Sequence, residues 1–439
     1  MNQLALPSAI PSRLSLHNEV HTRPASSINL PALIIYVAVI NEGVTCEQEL
    51  DHLRKLPGQD ALSAESIRGN FLRIGGDKFS VTWERHSEFS RYSIVHPLPI
   101  GLAESDLTAT VDLCEGLQVT PRWIEQIPGQ TLMAMLLVMI GGDIDDTSSC
   151  VTSAQEWLGS GPAVVSVIGA SAHSLVASNL KVSEDGFERM LVISKRDTPN
   201  DRPGRIAQRL LDIETYRLMA LRGLAVAKEI AMPLTLLEQE LATTTSKLVH
   251  NSDSDQVLLD SLVSQASSVE RFIATHSYRF SASRAYDALV RQRIAELKER
   301  NVPGYQLLGE FLQRRVAPAM ATVASTSTRL NALSERVSRT SALLRTRVDI
   351  AAEMQNQLLL EKLSKGQSLQ LHLQATVEGL SVAAISYYIV SLILHLSHAL
   401  HSVGLLADPE LVAGISIPIV VVSVWRISKR VHNKFFDEH

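Results

Sequence analysis

The sequence has few cysteines, and none is spaced for shared chemistry. Its 439 residues include only Cys46, Cys114 and Cys150, and no C-x-x-C pair occurs. A disulfide framework or a zinc knuckle needs paired or closely spaced cysteines, so neither is expected. A reducing compartment fits this composition best.

An excess of positive charge is also missing. The formal net charge is -5, whereas a nucleic-acid surface needs clustered Lys and Arg to neutralise phosphates. No nucleic-acid partner is therefore expected. With 45% hydrophobic and 20% charged residues, the chain is not disordered, and its length allows two or three domains.

The usual catalytic signatures do not occur either. The sequence contains no G-x-x-x-x-G-K-[ST], G-x-G-x-x-G, G-x-S-x-G or H-E-x-x-H, which removes the usual support for nucleotide-binding, hydrolase and zincin chemistry. The opening segment has prolines at 7 and 11 and no uninterrupted apolar core, so no secretory signal is expected. The prediction is that the protein is not an enzyme.

Two long hydrophobic runs are present near the C-terminus, and they predict two transmembrane helices. They are "VEGLSVAAISYYIVSLILHL" (377–396) and "LVAGISIPIVVVSVW" (411–425). About 20 apolar residues cross a bilayer as a helix, and the second run reaches that length with its flanks. The alternative is a buried helical hairpin in a soluble domain.

Charges around these runs predict their orientation. Lys362 and Lys365 precede the first run and Arg426, Lys429, Arg430 and Lys434 follow the second, whereas 398–410 contains neither Lys nor Arg. Because positive residues favour the cytoplasmic side, both chain ends are predicted to be cytoplasmic. The protein should then be a multi-pass inner-membrane protein in contact with lipid.

Residues 1–200 have the pattern of an α+β domain with a mixed sheet. Runs rich in β-branched residues alternate with amphipathic segments, and two direct successions of strands indicate hairpins. Strands are predicted at 32–40, 71–74, 78–86, 90–96, 131–140, 163–170, 174–180 and 189–194. Helices are predicted at 45–56, 59–68, 103–114 and 151–158.

The turn-rich segment "SKRDTPNDRPG" (194–204) marks a domain boundary. Residues 201–376 are predicted to be a helical stalk, with helices at 204–248, 254–300 and 304–317 and a stop or kink at Pro318. A single helix from 321 to about 396 would be roughly 110 Å long. Residues 377–430 complete the predicted architecture as the membrane hairpin.

An apolar stripe along this long helix needs a partner. Its members recur at spacings of three, four or seven: Leu330, Leu333, Val337, Leu344, Val348, Ala351 and Leu358. Such a stripe is typical of a helix that packs on other helices. The partner is either another part of the same chain or another subunit.

Several segments together resemble a bacterial family of membrane-anchored proteins catalogued as domain-of-unknown-function family 3422 (DUF3422). They are "NEVHTRP" (18–24), "WERHSEF" (83–89), "RIAQRLLDIETYRLMAL" (205–221) and the C-terminal hydrophobic hairpin. The resemblance covers nearly the whole chain. It implies a bacterial inner-membrane location and no particular activity.

The overall layout also resembles the CorA superfamily of divalent-cation channels. That likeness implies a homo-oligomer that passes or senses cations, gated by its cytoplasmic domain. The Gly-Met-Asn motif of those channels is missing from "LSHALHSVGLL" (396–406), so magnesium selectivity by that route is not expected. Residues 343–373 resemble the pre-membrane helices of mitochondrial assembly factors, which implies the alternative, a tethered scaffold that binds a protein partner.

Polar residues on the first hydrophobic run are candidates to line a pore. Tyr387, Ser391, His395, His398 and Ser402 follow one another at helical spacing and share one face. Intramembrane polar residues usually face protein or water, and a ring of these histidines from several subunits suits a transition metal. The alternative is helix–helix hydrogen bonding with interfacial histidines.

Two N-terminal motifs are candidates for a metal or ligand site, which could bind a divalent cation or, through the arginine, an anion. If both segments are extended, two sets of side chains each share a face. The first set is His17, Glu19, His21 and Arg23, and the second is Glu84, His86 and Glu88. The alternative is a polar network in which the carboxylates pair with Arg23, Arg85 and Arg91.

The glycine turn "GGDIDD" (141–146) is a further candidate site. It places Asp143, Asp145 and Asp146 after an apolar strand, and a hard cation favours such carboxylate oxygens. The alternative is a solvated turn.

Overall fold

A computed structural model describes residues 8, 10–13, 27–76, 79–99, 102, 107, 113–199, 201–250, 252–402 and 408–436. The chain forms two compact units, one within residues 1–340 and one within 341–439. The first unit contains a sheet and long helices, and the described residues of the second unit are almost all helical.

The sheet has nine strands in the order β2-β3-β4-β1-β5-β8-β7-β6-β9. Strands β5 and β8 pair in parallel and every other neighbouring pair is antiparallel, which confirms a mixed sheet. The strands are β1 Ala32–Ile40, β2 Phe71–Gly75, β3 Ser80–Arg85, β4 Phe89–Pro97, β5 Gln130–Gly142, β6 Val164–Ile168, β7 Ser174–Val182, β8 Glu188–Lys195 and β9 Arg300–Asn301.

Three short helices and four long ones complete the described elements. The short ones are α1 Cys46–Arg54, α2 Pro121–Glu125 and α3 Thr147–Leu158, and the long ones are α4 Asp201–His250, α5 Asp255–Leu297, α6 Leu308–Ser402 and α7 Pro409–Phe436. Helix α1 begins with a capping box, in which Thr45 and Gln48 each accept the other's backbone N–H. A single 3₁₀ turn lies at Ala64–Ile67.

The central strand β1 is apolar on both faces because a helical layer covers each face. Leu33, Ile35 and Val37 belong to one core with residues of α1 and α3. Ile34 and Tyr36 belong to a second core with residues of α4, α5 and α6. The alternation of side chains along a strand divides β1 between these two cores.

Strands β1 to β8 lie within about three residues of the segments that the sequence predicts, whereas β9 was not predicted. The predicted helix 59–68 is wrong, since only the 3₁₀ turn at Ala64–Ile67 forms there, and most of 103–114 lies outside the described residues. Helix α6 continues through Pro318 instead of stopping. Val316 and Met320 are buried on either side of that proline, so packing offsets the lost hydrogen bond.

Among the described residues, two helices are long and apolar enough to cross a membrane, α6 and the Pro409–Arg430 part of α7. These two helices contain the two runs identified in the sequence. Within the second unit, buried positions include Ser386 and Ser397 of α6 and Ala413 and Val424 of α7. Small and β-branched residues at such positions let two helices approach closely.

Candidate functional site

A buried chain of ionised groups joins the sheet to the helices packed on it. Glu84 of β3 and Arg91 of β4 are direct cross-strand partners, and Arg91 Nε donates to Glu84 Oε2 at 2.7 Å. Arg91 also pairs with Asp212 of α4. The other oxygen of Asp212 accepts from Arg293 Nε of α5 at 3.1 Å. One arginine therefore connects β3 and β4 to α4, and one aspartate extends the connection to α5.

Glu84 and Arg91, the central pair of this network, are charged at neutral pH. Burial disfavours the ionised carboxylate of Glu84, but the neighbouring His86 and the charge and hydrogen bond of Arg91 lower its pKa to about 2. Burial likewise opposes the charge of Arg91, yet Asp212 and Glu84 hold its pKa above the ordinary value. Each buried charge of the network is stabilised by its oppositely charged partners, so removing one group would leave another buried charge unpaired.

The segment "WERHSEF" turns back on itself rather than staying extended. Strand β3 ends at Arg85 and β4 begins at Phe89, with His86 N–H donating to the Phe89 carbonyl at 2.8 Å. The extended geometry assumed for Glu88 is therefore wrong, because Glu88 lies in the hairpin turn. Its carboxylate still points toward the long helices, where it pairs with Arg279 of α5. Glu88 Oε1 also lies 3.8 Å from Arg222 Nη1 of α4.

Trp83 and Arg85 lie on the opposite face of the sheet from Glu84, as the alternation predicts. Trp83 is buried in the core that contains α1. Arg85 pairs with Glu49 of α1 and donates to the Val44 carbonyl at 2.7 Å. His86 Nε2 lies 3.6 Å from Glu84 Oε2 and its ring stacks on Phe89 at 4.4 Å. Of the predicted trio, the structure thus brings Glu84 and His86 together and directs Glu88 to other arginines.

The first N-terminal motif, with His17, Glu19, His21 and Arg23, lies outside the described residues. Its contact with the second motif stays a prediction. Beside Glu84 and Arg91 there is a recess lined in part by Tyr36, Arg73 and Thr82. Among the described residues, the buried Thr82 Oγ1 has no hydrogen-bond partner.

A second buried acidic pair was not predicted. Glu214 of α4 pairs with Arg217, whose Nη2 is also 3.6 Å from Glu188 Oε1 of β8. Burial and the neighbouring charge of Glu214 raise the pKa of Glu188 to about 7, with Arg217 opposing them. One sequence signal was available, since the charged residues Asp212, Glu214 and Arg217 lie within the largely apolar segment "RLLDIETYRLMAL".

The aspartates of the glycine turn each have a local structural role. Asp146 caps α3 by accepting Ser149 N–H at 3.1 Å, and Asp143 accepts Asp145 N–H at 3.0 Å. Asp145 pairs with Lys195 at 3.1 Å. Across the described residues, no three His, Cys, Asp or Glu side chains gather as metal ligands. A cation role for this turn stays a prediction.

The predicted polar face of the first membrane run is left uncovered in the second unit. Tyr387, His395 and His398 are exposed and Ser391 is half-buried, whereas the buried positions in this run are Ser386 and Ser397. At about 100° per residue, these two serines lie on another side of the helix. Helix α7 therefore does not shield the polar face.

The part of α6 that precedes the membrane run is uncovered on every side. Each residue from Val348 to Val377 is exposed, including Leu359, Leu363 and Leu373. The predicted stripe is thus divided. Leu330, Leu333, Val337 and Leu344 are buried, whereas Val348, Ala351 and Leu358 are not.

Comparison with known protein families finds one match that spans residues 8–435, to the family described as "Protein of unknown function (DUF3422)". Comparisons with curated proteins and with solved structures find no match.

Proposed function

Because the chain belongs to the DUF3422 family, whose description assigns no activity, we propose a function from its geometry. The proposal is a homo-oligomeric, CorA-like protein of the bacterial inner membrane that passes cations, with its N-terminal unit on the cytoplasmic side. The observation that carries it is the uncovered polar face of the first hydrophobic run, Tyr387, Ser391, His395 and His398.

A polar face of this kind is costly against lipid and is usually directed to protein or to water. Two helices cannot enclose a pore, so in a single chain this face would meet lipid. Copies arranged around a common axis would turn it inward, where hydroxyl and imidazole groups could line a path for cations. The exposed Asp408 and Glu410 at the start of α7 would then form acidic rings at the outer mouth, which attract cations.

The N-terminal unit would serve as the sensing body. Its charged network ties the sheet to α4 and α5 through Arg91, Asp212 and Arg293, and Arg329 of α6 pairs with Glu238 of α4 at 2.7 Å. A movement of the sheet relative to α4 would thus reach α6, the helix that contains the first membrane run. Rigid, ion-paired elements are a physical route for such coupling.

The test is cation flux into vesicles that contain the purified full-length protein. Flux of Mg²⁺, Co²⁺ or Ni²⁺ should be present for the natural chain and should fall for Ser391→Leu and His395→Leu, which remove polar groups from the proposed path. The matched control is Leu392→Ala on another side of the same helix, for which flux should be unchanged. Intact oligomers without flux of any of these ions would refute conduction.

The alternative function is a membrane-tethered scaffold that binds a protein partner. The observation that favours it is that Glu84, Glu88 and Asp212 are each paired with arginines. Carboxylates that are paired in this way are not available to bind a ligand. In that case, replacing residues 377–430 by an unrelated membrane anchor should leave partner capture intact. Loss of capture in that chimera would exclude a purely tethering role.

A further inference from the structure

The uncovered segment of α6 and the uncovered polar face of its membrane run lie on one side of the same helix. Leu359, Gly366, Leu373, Leu380 and Tyr387 follow one another at intervals of seven residues. Residues seven apart on an α-helix differ by only about 20° around its axis. We call this side of residues 348–402 the seam.

The seam is continuous because the residues between these positions also keep helical spacing. Val377 and Ala384 lie between Leu373 and Tyr387, and Ser391 and His395 continue the series at four-residue steps. Gln355 and Lys362 also lie on this side, near its start, whereas the seam is apolar from Gly366 to Ala384 and polar from Tyr387 onward. Ser386 and Ser397, the buried positions between residues 348 and 402, lie roughly 80° or more away from it.

Something must cover the apolar part of the seam. Leu359 is 58% exposed and Leu373 61%, and fully burying one such side chain away from water contributes about 1.5–3 kcal/mol. A helix without a packed face gains little stability in water. The segment from 348 to 377 therefore lacks the contacts that normally hold a helix of this composition.

The occupant that fits is a second copy of this chain. The two-helix hairpin would orient all copies alike and place them at the same depth in the membrane, so identical seam residues would meet at the same level. At 1.5 Å per residue, residues 348–402 extend about 80 Å, and a contact about 10 Å wide would bury roughly 800 Å² per chain. That is the area of a stable protein–protein interface. Gly366 has no atom within 4 Å of an added Cβ, so a second helix could approach closely there.

We propose that residues 348–402 of α6 are a self-association surface that pairs in parallel and in register with the same surface of another copy, continuously from the aqueous segment into the membrane. This inference rests on the homo-oligomer of the proposed function and names the surface that builds it. It also explains why the apolar stripe continues beyond Leu344, the last buried member of the predicted stripe.

Disulfide formation between identical positions tests this surface directly in native membranes. Gly366→Cys and Leu373→Cys place thiols on the seam, while Ser364→Cys and Ala375→Cys place them on the opposite, equally exposed side. Each change is made in the full chain with the exposed Cys114 and the half-buried Cys46 replaced by Ser. Because a disulfide needs Cβ atoms within about 4.5 Å, the seam variants should form about tenfold more cross-linked dimer than the others.

A second pair of variants uses two leucines that are equally exposed. Leu373 lies on the seam and Leu371 does not, and they are 61% and 55% exposed. Leu373→Lys should raise the concentration at which the solubilised protein dissociates by about tenfold or more, since a buried unpaired charge costs several kcal/mol. Leu371→Lys should leave association unchanged.

Equal cross-linking on both sides of the helix, or cross-linking on neither side, would overturn the inference. A monomeric chain whose seam is covered by a different protein would overturn it as well. Cross-linking at the seam in vesicles that carry no cation flux would keep this surface and refute only the conduction proposal. Flux without cross-linking at the seam would refute the surface and leave conduction standing.

Discussion

Replacing Arg91 by Met should destabilise the N-terminal unit strongly. The change removes the cation between Glu84 and Asp212, both of which are buried, and leaves two carboxylates facing each other across an apolar side chain. Breaking a buried pair in this way costs about 3–5 kcal/mol. Unfolding entropy is about 2.1 cal/mol/K per residue, or about 0.7 kcal/mol/K for a unit of residues 1–340. The expected decrease in Tm is therefore about 4–7 °C.

The assay is thermal unfolding of the full chain in mild detergent, followed by circular dichroism. The control is Arg339→Met, because Arg339 and Glu335 form an exposed pair at 3.4 Å and should contribute less than about 0.5 kcal/mol, which corresponds to under about 1 °C. Combining Arg91→Met with Glu84→Gln and Asp212→Asn should recover part of the loss. A Tm for Arg91→Met that matches the control would refute the reasoning that this network ties the sheet to the helices.

Two further predictions concern other buried positions. Burial raises the pKa of Glu188 from 4.5 to about 7, so the stability it contributes is present below about pH 4.5 and is lost as the pH rises through about 7. The substitution Glu188→Gln should therefore raise the Tm at about pH 8 and make the Tm depend less on pH. The control Glu184→Gln, an exposed change in the same hairpin, should do neither. An added Cβ at Gly223 would lie 2.3 Å from Ser283 Oγ and 2.9 Å from its Cβ. In a denaturation experiment, Gly223→Ala should therefore lower the free energy of unfolding by about 1–3 kcal/mol, and adding Ser283→Gly should recover part of that loss. An unchanged free energy of unfolding for Gly223→Ala would disprove the close approach of α4 and α5.

The strands could be predicted because their signals are local. The run "ALIIYVAVI" is apolar on both faces and β1 is buried on both faces, while the flanking turns limit its length. The hairpin of β3 and β4 and the long helices follow from the same kind of local pattern. Pro318 is the exception, because packing around it, which periodicity does not reveal, outweighs the helix-breaking tendency of proline.

The ionic networks could not be predicted because their members are distant in sequence. Arg91 and Asp212 are 121 residues apart, and Glu188 approaches Glu214 and Arg217 only because α4 packs on β8. Periodicity revealed the apolar stripe of α6 without indicating what covers it. Leu333 is buried within the first unit whereas Leu358 is exposed, although both belong to the same sequence pattern.

The central claim is that several copies of this chain associate through α6 in the membrane. Native mass spectrometry of the full-length protein, released from a mild detergent, measures this most directly. The account predicts a single assembly whose mass is a whole-number multiple, two or greater, of 48.1 kDa, and which dissociates with Leu373→Lys but not with Leu371→Lys. A natural chain that is monomeric at all concentrations would contradict it.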